Sequence, residues 1–152
     1  MQLIFDRFMY KVFKFGGSSI KDSESIKNVG KILLSYESDD LVIVFSAIGK
    51  VTNMLEKVVD SHISQNNQSL IELEDVKMFH FNILDQLFQK EHSIYDQVNN
   101  LFIEAEWVLE DEPNDNPSYD YDQIVSIGEF LSTQIMHAYL QQIGFDNAYY
   151  DA

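Results

Sequence analysis

A lysine, two glycines and two serines stand together after the first apolar segment of the chain, in Lys14-Phe-Gly-Gly-Ser-Ser19. Glycines let a backbone approach a ligand closely, and successive amide groups can form a concavity that holds an anion. Lys14 would add a point charge for a phosphoryl oxygen. The spacing is neither that of a Walker P-loop nor G-x-G-x-x-G. A plain strand-to-helix turn with a solvated lysine fits the same residues, and the local pattern leaves both interpretations open.

A second loop with hydroxyl and lysine side chains follows the next apolar segment, in Ser46-Ala-Ile-Gly-Lys-Val-Thr-Asn53. Ser46 and Thr52 offer hydroxyl groups, and Lys50 offers a second cation. In open α/β sheets, ligands bind outside the carboxyl ends of the strands, so the two loops can converge on one site. Thr52 as a simple N-cap of the next helix is the structural alternative.

An acid stands among apolar residues in a third segment, Ser126-Ile-Gly-Glu129, with Ser132 and Thr133 one turn later. An acid in such surroundings is costly unless it is paired or hydrated, so Glu129 is a candidate functional residue. A solvent-facing helix acid, which is the usual place of a glutamate, is the alternative.

The histidines, the acidic cluster and the tryptophan indicate structural roles. The four histidines, His62, His80, His92 and His137, lack H-E-x-x-H or another metal-ligand spacing. The acids between positions 104 and 122 lack the EF-hand pattern and are expected to form a solvated helix face and loop. Trp107 is expected in the core. We therefore predict no metal site.

The elements that must position these segments alternate between strand and helix. Strands are predicted at Lys11–Phe15 and at the apolar run Leu41–Phe45, which is typical of a strand covered on both faces. A helix capped by Asp22 or Ser23 lies between them, so the first 45 residues form a βαβ unit. The later predictions are a helix from Thr52 or Asn53 to Ile63, helices over 70–87 and 94–109, a loop at 111–120, a helix over 121–143 disturbed at Gly128 and stopped by Gly144, and a third strand at 145–151.

The composition limits the classes of function. The chain has 152 residues, enough for about one domain, and a formal net charge of −15 from 10 Lys and Arg against 25 Asp and Glu. Residues 91–152 contain no Lys or Arg. This balance argues against nucleic-acid binding and against a basic membrane-surface role. Hydrophobic residues make up 45% and cysteine is absent, so a core can form without disulfides. No targeting or membrane segment is recognisable, and we expect the cytoplasm.

Taken together, the three segments resemble the aspartate kinases of the amino acid kinase superfamily. The resemblance rests on Lys14–Ser19, on Val44–Asn53 and on Ser126–Ser132, and it covers the chain from about Met9 to Asp151. It implies an α/β fold, namely a three-layer αβα sandwich with a mainly parallel sheet, incomplete in this chain. Residues 1–10 would be an N-terminal extension with the start of the first strand. Residues 11–152 would be the phosphate-loop and aspartate-binding part of the kinase domain.

The resemblance also implies a reaction and roles for individual residues. Such a kinase transfers the γ-phosphoryl group of ATP to the β-carboxylate of L-aspartate and forms 4-phospho-L-aspartate, on the route to lysine, threonine and methionine. ATP would be a co-substrate with Mg²⁺ carried on its phosphates, without a protein-bound cofactor. The implied roles are stabilisation of the transferring phosphoryl group by Lys14, a phosphate pocket lined by Gly16, Gly17 and Ser18, and aspartate binding by Ser46, Thr52 and Glu129.

Family members continue well beyond position 151, with the rest of the nucleotide site and regulatory domains. We therefore expect an N-terminal part of a kinase that is inactive alone and homo-oligomeric in the complete enzyme. Two alternatives stay open. One is another superfamily member that acts on glutamate, acetylglutamate or a nucleoside monophosphate. The other is a non-catalytic acidic α/β interaction module, for which Lys14, Thr52 and Glu129 need not converge.

Overall fold

The first two strands pair in parallel, as the βαβ pattern predicts. In the computed structural model, which describes residues 10–38 and 40–150, β1 (Lys11–Phe15) aligns with β2 (Leu41–Phe45) from Lys11 opposite Leu41 to Phe15 opposite Phe45. Helix α1 (Ser23–Leu34) makes the crossover between them. The predicted extension at residues 1–10 lies outside the described residues except for Tyr10, and so does the end of the predicted third strand.

Helices make up most of the rest of the described chain. A short 3-10 turn, Gly17–Ile20, precedes α1. Five further helices follow β2, namely α2 (Val51–Ile63), α3 (Ser69–Leu87), α4 (Ile94–Glu110), α5 (Pro117–Val125) and α6 (Ile127–Gln142). No helix within the described ranges combines the length and the apolar character that crossing a bilayer requires.

The helix ends follow local chemistry. The Asp22 carboxylate accepts a hydrogen bond from the Ser25 amide at 2.8 Å and caps α1, which confirms one of the two predicted caps. After α6, Gly144 takes a φ of +85°, and the Phe145 amide donates to the Leu140 carbonyl at 2.9 Å. This is the Schellman arrangement that a glycine stop favours.

The sheet has one buried and one open face. Phe13, Phe15, Ile43 and Phe45 point into the core, which they share with the buried side chains of the helices. On the other face, Val12 is 67% exposed, and Val42 and Val44 are exposed as well. The prediction that β2 is covered on both faces is therefore wrong for the described chain. The strand is as apolar as a central strand, but the described helices cover only one side of it.

Two predicted helix boundaries and one predicted strand also differ from the structure. Helix α5 begins at Pro117 rather than Tyr121, because Asn116 caps it and proline is favoured in the first turn. The helix break falls at Ser126, two residues before Gly128. Residues 145–150 do not form a strand, because they do not pair with either strand of the described sheet, and a strand requires a hydrogen-bonded neighbour.

The helical packing brings distant segments to the sheet. Helix α2 packs against α3 and α5, while α4 packs against α3, α5 and α6. Helix α6 also contacts β2 and α2. As a result, the start of α6, which carries the third candidate segment, lies next to the loop that follows β2.

Candidate functional site

The first candidate loop leaves the sheet at its carboxyl edge. Lys14 is the penultimate residue of β1, lies opposite Val44 and is exposed on the open side of the sheet. After β1, Gly16 is extended and Gly17 opens the 3-10 turn, in which the Ser19 amide donates to the Gly16 carbonyl at 2.8 Å. Ser18 is exposed. The loop thus presents a lysine and hydroxyl groups to solvent at one edge.

The second candidate loop is locked to the first. The Ser46 amide donates to the Phe15 carbonyl at 3.0 Å, which continues the parallel pairing one residue past β2. The Gly49 amide donates to the Gly17 carbonyl at 3.0 Å. A Cβ on Gly17 would lie only 2.6 Å from the carbonyl oxygens of Ala47 and Gly49, so this position accepts glycine alone. The two loops therefore form one unit.

The residues of the second loop differ in burial: Lys50 is exposed, Ser46 and Thr52 are half-buried, and the centre of the loop is buried. Ala47 and Ile48 are almost completely buried, whereas Lys50 is exposed. Thr52 is the second residue of α2 and is half-buried. The N-cap is Lys50, without a side-chain cap, so the interpretation of Thr52 as the helix cap is wrong. A role for its hydroxyl elsewhere remains a prediction.

The third segment forms the first turn of α6. The Glu129 amide donates to the Ser126 carbonyl at 3.0 Å, and the hydroxyls of Ser132 and Thr133 donate to the Glu129 carbonyl. The Glu129 side chain is exposed, although its sequence neighbours are apolar. Exposure relieves the cost of a charged group in such surroundings.

This third segment packs directly on the second loop. A Cβ on Gly128 would lie 3.0 Å from Ala47 Cβ, 3.1 Å from Leu55 Cδ1 and 3.3 Å from Val51 Cγ1. Gly128 precedes Glu129, and Val51 precedes Thr52. The chain positions that carry the second and third candidate groups are therefore adjacent, and the first loop reaches the same place through Gly17.

The structure thus brings the three candidate segments together around Ala47. This contact is made by glycines and by an alanine, and not by the candidate side chains themselves. Lys14, Ser18, Lys50 and Glu129 extend from the joined segments toward solvent. A non-catalytic remnant of the fold could have the three segments on separate surfaces. In the described chain they are in contact.

One further lysine lies beside the joined loops. The backbone of Lys21 contacts Gly49, since a Cβ on Gly49 would lie 3.5 Å from the Lys21 carbonyl oxygen. Its side chain is exposed. Lys21 was not among the predicted site residues, although its position just after the Gly-Gly-Ser-Ser segment indicates that it lies close to the first loop.

Two predictions about other residues are wrong. Trp107 is 63% exposed and not in the core, because it lies on the side of α4 opposite the buried residues Phe102, Ala105 and Leu109. Asp120 is buried rather than solvated. One of its carboxylate oxygens, Oδ2, accepts a hydrogen bond from the Asn114 amide at 2.8 Å and lies 3.9 Å from His62 Nε2.

The four histidines lie on α2, on α3, between α3 and α4, and on α6. His62 and His80 are buried, and His92 and His137 are partly buried. Among the residues that the structure describes, no group of three or more His, Asp or Glu side chains is arranged to hold a metal ion.

Sequence comparison identifies the family. The family model of the amino acid kinase family matches residues 9–152. Aspartokinase 2, chloroplastic, of Arabidopsis thaliana is 33% identical over 144 residues, which cover 93% of this chain and 26% of that protein. Aspartokinase 1, chloroplastic, of the same plant is 35% identical over 145 residues, with 93% and 25% covered. The chain therefore spans about a quarter of the length of these curated relatives.

Solved structures show the same fold. Escherichia coli aspartokinase III in complex with lysine and aspartate superposes with a TM-score of 0.78 over 91% of this chain and 30% of that chain. The same protein in complex with aspartate and ADP gives a TM-score of 0.75 over 89% and 29%. Sequence identity is 24% in both cases. The two strands and six helices are therefore part of an α/β fold of this type, as the sequence predicts.

Proposed function

This chain belongs to the amino acid kinase family, and we propose that it forms the phosphate-loop and aspartate-binding part of an aspartate kinase. The observation that carries the proposal is the contact of Gly17 and Gly128 with the same residue, Ala47. It joins three segments at one edge of the sheet, and the first and third of them lie more than 100 residues apart in sequence. The aspartokinase relatives support the choice of substrate.

The proposed reaction is transfer of the ATP γ-phosphoryl group to the β-carboxylate of L-aspartate. The bond between the γ-phosphorus and the bridging oxygen breaks, ADP leaves, and an aspartate oxygen forms the new bond to phosphorus. The product is 4-phospho-L-aspartate, which feeds lysine, threonine and methionine synthesis. Phosphoryl transfer needs positioning and charge neutralisation more than a covalent protein intermediate. Exposed cationic and hydroxyl groups on two loops that are hydrogen-bonded to each other suit that need.

Each joined segment has its own part in this proposal. Lys14 stabilises the charge on the transferring phosphoryl group, and Mg²⁺ arrives on the ATP phosphates. The Gly16–Ser18 loop lies against the phosphates. From the second and third segments, Ser46 and Thr52 hydrogen-bond the substrate and Glu129 pairs with its ammonium group. The surface position of Glu129 suits a group that must meet a small charged molecule from solvent.

We also propose that these 152 residues have negligible kinase activity on their own. The cations on the joined loops are Lys14 and Lys50, with Lys21 beside them, and residues 91–152 supply none. The chain spans only about a quarter of its aspartokinase relatives, and we propose that the rest of the nucleotide site lies in the part of such an enzyme that these residues do not span. Aspartate-dependent ADP release by the purified chain, measured in a coupled assay, would contradict this. The complete enzyme is proposed to be a cytoplasmic homo-oligomer that binds neither nucleic acid nor membrane.

The test of the substrate uses the longest protein whose reading frame contains this chain. It is assayed for ADP release with L-aspartate, L-glutamate, N-acetyl-L-glutamate and UMP as acceptors. We expect turnover with L-aspartate alone, and the acyl phosphate product should be trapped by hydroxylamine. Preference for another acceptor would assign the chain to a different branch of the family. Absence of turnover with every acceptor would favour the non-catalytic interaction module.

A matched pair of variants tests the role of Glu129. Glu129→Gln keeps the shape of the side chain and removes its charge, so we expect the KM for L-aspartate to rise about tenfold or more while the KM for ATP changes little. Glu110→Gln removes an exposed acid at the end of α4 and is the control. Equal effects of the two variants would remove Glu129 from the proposed site.

A further inference from the structure

Ala47 lies between the two ligand-binding segments of the proposed site and touches both. It is 3% exposed, in the loop between β2 and α2. Its carbonyl oxygen faces Gly17 and its methyl group faces Gly128. The phosphate loop and the first turn of α6 are thus separated by the thickness of one alanine.

Neither side of this contact has room for another methyl group. A Cβ on Gly17 would come within 2.6 Å of the Ala47 carbonyl oxygen, a distance that real Cβ atoms essentially never show. A Cβ on Gly128 would come within 3.0 Å of the Ala47 methyl group, so the neighbours would have to move by a few tenths of an ångström. The first side is closed by backbone. The second is closed by the side-chain carbons of Leu55 and Val51, which can shift slightly, and by the Cβ of Ala47, which can move only with its backbone.

We infer that Ala47 and Gly128 are positioning residues that set the distance between the phosphate loop and Glu129. This inference rests on the proposed function, because the distance matters for activity only if the phosphate loop and Glu129 bind the two substrates of one reaction. Positions of catalytic groups must be kept within about half an ångström for efficient chemistry, which is the scale of the displacement an added methyl group would cause here.

The contact predicts a specific rescue. Gly128→Ala adds a methyl group that would press against the methyl group of Ala47, and Ala47→Gly removes the methyl group of Ala47. The double variant therefore restores the closest contact, although Leu55 and Val51 still adjoin the new methyl group. Because the two residues are in contact, their effects on stability should also be non-additive, so rescue of the affinity for aspartate, and not rescue of stability, is the result that tests a positioning role.

The experiment uses the 152-residue chain labelled with ¹⁵N, and it follows backbone amide resonances during titration with L-aspartate. We expect Gly128→Ala to weaken aspartate binding about fivefold to tenfold and the double variant to bind within about twofold of the unmodified chain. Gly144→Ala is the control. It substitutes a positive-φ glycine with open space around it, so it should lower stability and leave the affinity for aspartate unchanged.

Two results would overturn the inference. One is an unchanged affinity in Gly128→Ala together with reduced stability, which would show a purely structural role. The other concerns the unliganded protein, where Gly128→Ala should shift the Gly17 and Glu129 amide resonances and the double variant should return them. An unchanged Gly17 resonance would show that Ala47 does not connect the two segments.

The unliganded measurement also separates this inference from the proposed function. If L-aspartate causes no shift in the resonances of the unmodified chain, the proposal that these 152 residues bind aspartate is contradicted. The shift of the Gly17 resonance in Gly128→Ala and its recovery in the double variant still decide whether Ala47 sets the spacing.

Discussion

Lys14 occupies a position on the sheet that packing does not explain. Its neighbours on the open face, Val12, Val42 and Val44, are apolar, and it interrupts them at the carboxyl end of β1. A lysine stem can lie along such apolar surface while its ammonium group stays in water. Placed next to Gly16 and Gly17, that ammonium group is available to an anion at the edge of the sheet.

We predict that Lys14→Met lowers the turnover of the longest protein containing this chain by about 100-fold or more. Methionine keeps the length of the side chain but lacks the positive charge that would stabilise the transition state. Aspartate-dependent ADP release measures the effect. Lys31→Met, in the exposed last turn of α1, is the control and should retain activity. Comparable losses in both variants would mean that overall charge, and not the position of Lys14, is responsible.

His80 is a buried histidine with a packing role. Its Nδ1 lies 2.8 Å from the Val76 carbonyl oxygen and donates to it, and its ring contacts those of Phe79 and Phe102. Burial lowers the pKa of His80 to about 4, and the hydrogen bond to Val76 offsets this only in part. His80 is therefore neutral at physiological pH.

This burial predicts a pH dependence of stability. Because the folded pKa of His80 is about 4 and its ordinary value is 6.5, the unfolded chain takes up the proton first as pH falls. Stability should decrease from about pH 6.5 toward pH 4, by about 3 kcal/mol at most from this residue. Urea unfolding at several pH values measures it.

The matched variant for that prediction is His80→Leu, which cannot titrate. The carboxylates that titrate near pH 4 are common to both proteins, so the difference between their unfolding free energies isolates His80. We expect the difference to change steadily between pH 6.5 and pH 4. A constant difference over this interval would contradict the low folded pKa.

At the scale of elements, helix ends follow local sequence, while helix crossings depend on residues far apart in the chain. Asp22 begins α1 and Gly144 ends α6, and the hydrogen bonds at both ends join residues within five positions of each other. Gly30 is different. A Cβ there would lie 2.8 Å from Tyr139 Cε1 and 2.9 Å from Ile143 Cδ1, so it allows α1 to pass close to α6 and the residue after it.

We predict that Gly30→Ala destabilises the protein by about 1–2 kcal/mol, because overpacking against the Tyr139 ring exceeds the gain of about 1 kcal/mol in helix propensity. Urea unfolding followed by circular dichroism measures the change. Lys31→Ala, the adjacent exposed position, should alter stability by less than about 0.5 kcal/mol. A stabilised Gly30→Ala variant would show that the crossing has room for the methyl group.

At the scale of the whole molecule, charge and apolar surface are both unevenly distributed. All ten basic residues lie in residues 1–90, and residues 91–152 carry 13 acids without a cation. Many of these acids are exposed, among them Glu104, Glu110 and Asp111 on and after α4. Like charges close together oppose the compact state.

We predict that added salt stabilises the protein. At 0.1 M salt the screening length is about 10 Å, which is short enough to weaken repulsion among the acids of α4 and the following loop. The thermal unfolding midpoint should rise between low salt and 0.2 M NaCl. A triple variant, Glu104→Gln, Glu110→Gln and Asp111→Asn, should show a smaller rise, and an undiminished one would locate the repulsion elsewhere.

Local features of the fold could be predicted from the sequence. The two strands, the Asp22 cap and the Gly144 stop follow from side-chain periodicity, from glycine conformation and from hydrogen bonds to nearby residues. The three candidate segments could likewise be identified, because their residue types and spacing are local patterns. The start of α5 was also encoded, since Asn116 followed by proline is a helix-start signal.

Only the tertiary structure decided which surfaces are covered and which segments meet. Trp107 was expected to be buried and is exposed, whereas Asp120 was expected to be exposed and is buried. Burial depends on which face of a helix packs against a partner distant in sequence. The open side of β2 has the same origin. The meeting of Gly17, Ala47 and Gly128 depends on how α6 packs on the loop after β2, a long-range contact that no local pattern contains. The sequence determined which groups can do chemistry, and packing between distant segments determined that the segments carrying them meet.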